Sequence, residues 1–243
     1  MNLIHLYKTY PPVLGGIEGH VQTLAEAQAA AGHTVAVLVT QRGAPSDGEA
    51  SGEAEHAGVR VVRAAAPITL ASAPLGPAYF DEFARLVRTI RPDLLHVHAQ
   101  YPLAEIAALR STLPYVVSYH AEITRPAQRL IMLAYAPLLR RVLRSARRVI
   151  VSNPHMAQLK WLCALKPAII PYGIDPAHFW PADERGAEDR PLRLLFVGRL
   201  RHYKGVDVLL RAAAQLPQVE AWIAGDGPLG PPLRALAKTL GMA

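Results

Sequence analysis

Cysteine is nearly absent: Cys163 stands alone in 243 residues. That excludes an internal disulfide and a cysteine-built zinc site, and it fits a reducing compartment. Acidic residues are in short supply, 19 Asp and Glu against 26 Lys and Arg, leaving a net charge of +7 and a pI near 9.7. Such a balance favours acidic partners, namely nucleotide phosphates, nucleic acid or anionic lipid headgroups, unless the arginines simply populate ordinary surface. No uncharged apolar run nears the roughly 20 residues that span a bilayer. The opening stretch MNLIHLYKTYPP lacks the basic leader and apolar length of a signal peptide. The expectation is a cytoplasmic protein, at most peripheral at the inner membrane face.

What is present is core-forming. Hydrophobic residues make up 51% of the chain and charged ones 19%, the balance of a globular protein. Their spacing alternates strand and helix periods. Asn2–Tyr7 reads as a strand, broken by Tyr10-Pro11-Pro12. A helix opens at Gly15-Gly16, carries Ile17, Val21, Leu24 and Ala25 on one face, and is capped by Gly32. Thr34–Thr40 is a buried strand, Gln41–Gly58 an Ala/Gly/Ser/Glu-rich loop, and Val59–Arg63 a short strand. The spacing predicts a helix over Pro77–Ile90 with Phe80, Phe83, Val87 and Ile90 inward. A strand Asp93–His98, a helix Pro102–Ser111 and a strand Tyr115–Tyr119 follow. Next come a long helix near Ala127–Ser145 with Pro137 inside, a strand Arg148–Ser152, a helix Pro154–Leu162 and a strand Ala168–Pro171. Strands alternating with helices predict an α/β fold, a doubly wound parallel sheet covered on both faces.

Residues 1–178 form a first lobe in this reading and 179–191, rich in proline and acidic residues, a linker. Residues 192–243 form a second lobe of only two strands and two helices, too little to bury a comfortable core. The expectation is therefore a truncated or atypical second lobe.

The run Leu194–Leu209 carries the sharpest chemistry. An apolar strand ends at Gly198-Arg199-Leu200, and Lys204-Gly205 opens an amphipathic helix. A strand–loop–helix unit with two cations at its mouth suits an anionic phosphate group. Gly15-Gly16, between the first strand and first helix, lets backbone approach a ligand, or forms a plain tight turn. A nicotinamide site is disfavoured, since G-x-G-x-x-G is not matched and Thr40-Gln41 offers no ribose carboxylate. His98 and His120 each end a strand at the carboxyl edge, where an imidazole can act as acid, base or donor, or simply pack. His96 and His98 share a strand face, but two histidines do not define a metal site, and no D-x-D pair stands in a suitable loop. No metal and no other cofactor is expected. Seven arginines between Arg125 and Arg148 suit either a membrane-surface helix or a solvated outer helix. Nothing matches a nucleic-acid-binding module.

Taken in order, these segments resemble a family. Tyr10-Pro11-Pro12, Gly15-Gly16-Ile17-Glu18, His20-Val21, Gly32-His33, Asp93–His98, Tyr119-His120 and Ile170–Asp175 fall in its pattern. So do Val197-Gly198-Arg199-Leu200, Lys204-Gly205 and Gly225-Asp226-Gly227-Pro228-Leu229. They are similar to the retaining GT-B glycosyltransferases of the group-1, GT4-like class. The resemblance implies two Rossmann-like lobes, the first binding an acceptor and the second a UDP- or GDP-linked nucleotide-sugar donor. It implies transfer of a hexose to a glycan or lipid-linked acceptor with retention at the anomeric carbon. Arg199 and Lys204 would hold the departing diphosphate, with Gly15 and Gly16 donating backbone N–H groups to it. His120 would contact the transferred sugar, and Tyr10, His98 and Asn153 would line the cleft. The family's E-x7-E segment has no counterpart before Ala243. This leaves open a catalytically inactive fragment acting as a binding module, and, more remotely, nucleotide-sugar epimerisation.

Overall fold

The computed structural model describes residues 1–42, 52–70, 73–120, 129–174 and 192–242. The expected linker 179–191, Arg125 and positions 43–51 of the expected loop lie outside the described residues. The chain divides into two compact units, Met1–Asp175 and Pro176–Ala243.

The first unit is built on β1 (Asn2–Leu6), β2 (Thr34–Arg42), β3 (Gly52–His56), β4 (Val59–Ala66), β7 (Leu94–Ala99), β8 (Tyr115–Tyr119), β9 (Arg148–Val151) and β10 (Ala168–Ile169). They form one sheet in the order β10-β9-β8-β7-β1-β2-β4-β3, parallel throughout except for β3, which runs antiparallel to β4. A small hairpin, β5 (Ile68–Leu70) with β6 (Ala73–Leu75), follows β4. Parallel strands must be joined by crossovers, and helices α1 (Gly16–Ala30), α2 (Ala78–Ile90), α3 (Pro102–Arg110), α4 (Arg129–Ser145) and the single turn α5 (Pro154–Ala157) supply them.

Alternation along the strands gives the two sheet faces different chemistry. Ile4, Leu6, Ala36, Leu38, Leu95, Val97, Val117 and Tyr119 point to one side, into a large apolar core with Tyr79, Phe83, Leu86, Leu139, Val142 and Leu143. Leu3, Tyr7, Val35, Val37 and Val39 point to the other, against Val21 and Ala25 of α1. On that second face β1 and β7 carry His5, His96 and His98 among the apolar side chains, all buried.

Several sequence expectations shift in detail. The stretch expected to be a loop up to Gly58 contains β3, whose five residues are all exposed. It holds by backbone pairing and by Glu53, which bridges Arg60 and Arg85. Helix α2 buries Phe83 and Ile90 as expected, but it buries Tyr79 and Leu86 with them, whereas Phe80 and Val87 pack at the margin. The helix expected over Pro154–Leu162 lasts one turn and gives way to a 3-10 turn at Cys163–Leu165. Helix α4 contains Pro137. It buries Leu139, Val142 and Leu143 and leaves Arg140, Arg141 and Arg144 exposed, the pattern of a helix lying outside a sheet.

The second unit pairs β11 (Leu192–Val197) with β12 (Val219–Ala224) in parallel. Helices α6 (Val206–Ala213) and α7 (Gly230–Thr239) close a small core of Leu200, Val206, Leu210 and Leu233 on one sheet face. Leu195, Val197 and Trp222 are exposed.

Candidate active site

In the first unit the chemistry collects where β1, β7 and β8 lie side by side. Register sets His5 opposite His96 and His98 opposite Ser118, and His120 follows the last residue of β8. The side chains join into one line. Gln28 Oε1 lies 2.7 Å from His5 Nε2, and His5 Nδ1 lies 3.0 Å from His98 Nε2. His98 Nδ1 then lies 2.9 Å from His120 Nε2, and His120 Nδ1 2.7 Å from the Tyr172 hydroxyl. His96 stacks on His98 at 4.3 Å and turns its Nε2 to Ser118 Oγ, 2.7 Å away. Tyr7 meets the rings of His98 and His120 edge-on.

Burial decides the charge state of this column. An imidazolium there would lose its hydration, so the neutral form is favoured. Desolvation lowers His5 to about 4 and His120 to about 3. The same cause holds His96 and His98 well below the usual histidine value, and neighbouring histidines add to it. At neutral pH all four are uncharged.

Helix α1 brings its first turns to the exposed end of the column. His20 packs against Tyr172 at 4.4 Å and His120 at 5.5 Å between ring centres. Gly16 lies one turn earlier. Thr9 donates to buried Glu18 at 2.8 Å, fixing the loop from β1 to the start of α1. Gly15, the N-cap, is extended, and no side chain caps the helix, so its first N–H groups are not taken by a capping side chain. Gly16 is outside the left-handed region, and a Cβ there would meet nothing within 4 Å. Neither the backbone nor the packing around it demands glycine at that position, which suits close approach by a ligand.

The other residues expected at the cleft have different placements. His98 is fully buried; it stands behind His120 as its hydrogen-bond partner and does not line a surface. Tyr10 packs in the cluster beneath α1, and its hydroxyl has no partner among the described residues. Burial pushes that phenol up to about 12. Asn153 caps α5, accepting from Met156 N–H at 3.0 Å. Sequence reasoning missed Gln28 and His5 altogether. The signal was a histidine in the first strand of a parallel sheet, a position where a polar group needs a partner.

The argument from two histidines against a metal also changes, because His5 joins His96 and His98 and their ring nitrogens lie within 4.8 Å of one another. These nitrogens are occupied, however: His5 Nδ1 and His98 Nε2 bond to each other, and His96 Nε2 bonds to Ser118. A cation would have to break those bonds in a buried place.

The second unit carries Arg199 and Lys204. Arg199 is exposed in the loop after β11. Lys204 ends a 3-10 turn just before α6 and lies 5.5 Å over the Tyr203 ring. The loop is zipped to the one after β12: Gly198 N–H donates to Ala224 O at 2.9 Å and Leu200 N–H to Asp226 O at 2.9 Å. Backbones meet so closely that a Cβ on Gly225 would lie 1.9 Å from the Gly198 oxygen. Gly205, with φ +67, turns the chain into α6, whose first N–H groups face the same loop end.

Both units match known protein families. Residues 14–178 match Glycosyltransferase Family 4, and residues 182–243 match Glycosyl transferases group 1. The D-rhamnosyltransferase WbpZ of Pseudomonas aeruginosa is 31% identical over 253 residues, an alignment that takes in 100% of this chain and 64% of that protein. O-antigen chain mannosyltransferase C of Escherichia coli is 29% identical, over 100% of this chain and 66% of its own length. The chain thus spans about two thirds of these relatives. Sucrose-phosphate synthase from Thermosynechococcus elongatus superposes with a TM-score of 0.78 at 20% identity, over 100% of this chain and 68% of that one. Anabaena Alr3699/HepE, solved with UDP and glucose, gives 0.66 at 20% identity, over 99% and 66%. The fold is that of the GT-B glycosyltransferases. With family matches over both units, the chain belongs to the group-1, family 4 glycosyltransferases.

Proposed function

We propose that this chain forms the acceptor lobe and the phosphate-binding part of the donor lobe of a hexosyltransferase. The enzyme moves a sugar from a UDP- or GDP-linked donor to a glycan or lipid-linked acceptor, with retention of anomeric configuration. The observation that carries the reading is the phosphate-type site of the second unit. Two cations, Arg199 and Lys204, stand at a strand end whose loop is held by backbone hydrogen bonds and opens directly into α6. As the glycosidic bond to phosphate breaks, negative charge grows on the leaving diphosphate. Fixed cations and helix N–H groups stabilise that charge without reorganising, which is the largest kind of catalytic contribution. In the first unit, Gly15 and Gly16 offer backbone donors to a phosphate group, and His120 meets a sugar. A neutral His120 suits that task, because it can accept a hydrogen bond from a sugar hydroxyl without adding a proton to the site.

The names of the relatives, a rhamnosyltransferase and an O-antigen chain mannosyltransferase, favour polysaccharide assembly. In this reading no metal is needed, since Arg199 and Lys204 supply the positive charge. The enzyme works in the cytoplasm, and the exposed arginines of α4 can meet an anionic membrane surface.

The test is calorimetric titration of the chain with UDP and with GDP, beside Arg199→Ala and Lys204→Ala. Charge-assisted hydrogen bonds of this kind contribute about 1.5–3 kcal/mol, so each variant should weaken binding roughly 10- to 100-fold. Wild-type chain that binds neither nucleotide, or variants that bind as well as wild type, would remove the phosphate role.

A further inference from the structure

The hydrogen-bonded line through the first unit has a direction. A neutral imidazole carries one N–H donor and one lone-pair acceptor, so fixing one end of a chain of imidazoles fixes every member. The Gln28 amide oxygen faces His5 Nε2 and can only accept, which puts the His5 proton on Nε2. His5 Nδ1 is then an acceptor and must receive from His98 Nε2–H. His98 Nδ1 in turn receives from His120 Nε2–H. His120 Nδ1 is left as an acceptor, filled by the Tyr172 hydroxyl.

We propose that Gln28 fixes the tautomer of His120 through His5 and His98, so that His120 presents an Nδ1 lone pair at the carboxyl edge of the sheet. Gln28 belongs to α1 and touches neither His120 nor Tyr172 in this line; it acts as a positioning residue at the far end. The geometry favours a single direction. Inside the column no water is needed to complete a bond, and His5 and His98 are fully buried. Reversing one member without the others would set two N–H groups, or two lone pairs, face to face at about 3 Å, at the cost of a buried unsatisfied donor or acceptor. The four links therefore switch together or not at all. Turning over the Gln28 amide is the one local change that reverses them all, since its NH2 would then donate to His5 Nε2 and send every proton one step along. The reading of His120 as the sugar-contacting residue rests on the proposed function. Given that reading, the column selects for a hydroxyl that donates: a ligand group taking Tyr172's place at Nδ1 must bring its own proton.

The experiment needs no sugar transfer, so it stands or falls apart from the transferase reading. Nitrogen–proton correlation spectra of the whole chain with isotope-labelled histidine distinguish protonated from unprotonated ring nitrogens; His120 is assigned from its loss in His120→Gln. Wild-type chain at neutral pH should show His5, His98 and His120 all protonated at Nε2. Gln28→Glu keeps an acceptor and should leave the pattern unchanged. Gln28→Lys supplies only donors and should move the majority of His120 to the Nδ1-protonated form. Gln28→Leu removes the terminal partner and should give a mixture. A wild-type His120 protonated at Nδ1, or an unchanged His120 in both the Lys and Leu variants with normal circular dichroism, would overturn the proposal. Should the Lys variant fail to fold, the wild-type pattern and the Leu variant still decide.

Discussion

Acid should weaken the first unit even though one buried carboxyl works in the opposite sense. His5 and His120 have ordinary values of 6.5 when unfolded and about 4 and about 3 when folded. Below 6.5 the unfolded chain takes up protons that the folded column refuses, so their contribution is full above that value and is lost as the pH falls. At about pH 5, some 1.5 units under the unfolded value, each costs about 2 kcal/mol. His96 and His98 push the same way. Glu105, fully buried beside the Tyr135 hydroxyl, is raised by desolvation from 4.5 to about 7. Its stabilisation is present below 4.5 and disappears as the pH rises through 7, so acidification from about pH 7.5 to about pH 5 returns about 2 kcal/mol. His5, His120 and Glu105 together leave a loss of about 2 kcal/mol, deepened by His96 and His98. In Glu105→Gln, which keeps a partner for Tyr135, the compensation is gone and the acid loss should grow by about 2 kcal/mol. The measurement is urea unfolding at the two pH values. It is followed by the fluorescence of Trp161, which packs on Tyr119 at 4.8 Å, with Trp180 and Trp222 replaced by Phe. Equal stability at both pH values in the wild type, or the same acid loss in wild type and Glu105→Gln, would refute the reasoning.

Two further outcomes follow from local geometry. Gly225→Ala sets a Cβ 1.9 Å from the Gly198 carbonyl oxygen at a backbone φ of +152, so the second unit should lose on the order of 3 kcal/mol. Limited proteolysis should then cut that unit while the Trp161 transition of the first stays in place; a loss under about 1 kcal/mol would mean that the two loops can part cheaply. Asn153→Ala removes the only side-chain cap of α5, the bond from Met156 N–H, and should cost about 1 kcal/mol in urea unfolding, with Asn153→Asp close to wild type.

The strands were legible wherever burial wrote a continuous apolar run. Tyr115–Tyr119 has the same bounds in the structure as in the sequence reading. Strand β3 was not legible, because Gly-Glu-Ala-Glu-His has no buried side and its pairing to β4 is made by main-chain groups that every sequence carries. Helix α2 was found with Phe83 and Ile90 on its buried face, but Phe80 and Val87 were read inward in place of Tyr79 and Leu86: Tyr79 and Phe80 are aromatic neighbours, and only the position of the sheet beneath decides which points down. At the candidate site, strand ends located His98 and His120. Their roles depended on strand order. With β7 between β1 and β8, three histidines far apart in the chain become neighbours, and a residue on α1 reaches the first of them. Periodicity tells which face a residue occupies but not which strand lies next to it. Arg199 and Lys204 were visible because a strand, a loop and a helix start are contiguous in sequence, so the whole local arrangement is written in one stretch.

The imidazole column also bears on how this sequence can change over generations. Replacing one histidine by an apolar residue leaves its neighbours with a donor or a lone pair facing nothing, which costs more than the net gain of the bond it made. Replacing the whole set by apolar side chains of similar volume removes the need together with the partners, and can be close to neutral. Intermediates with half a column are therefore the least stable sequences on the route. His5, His98, His120 and Gln28 should be inherited, or lost, as a block.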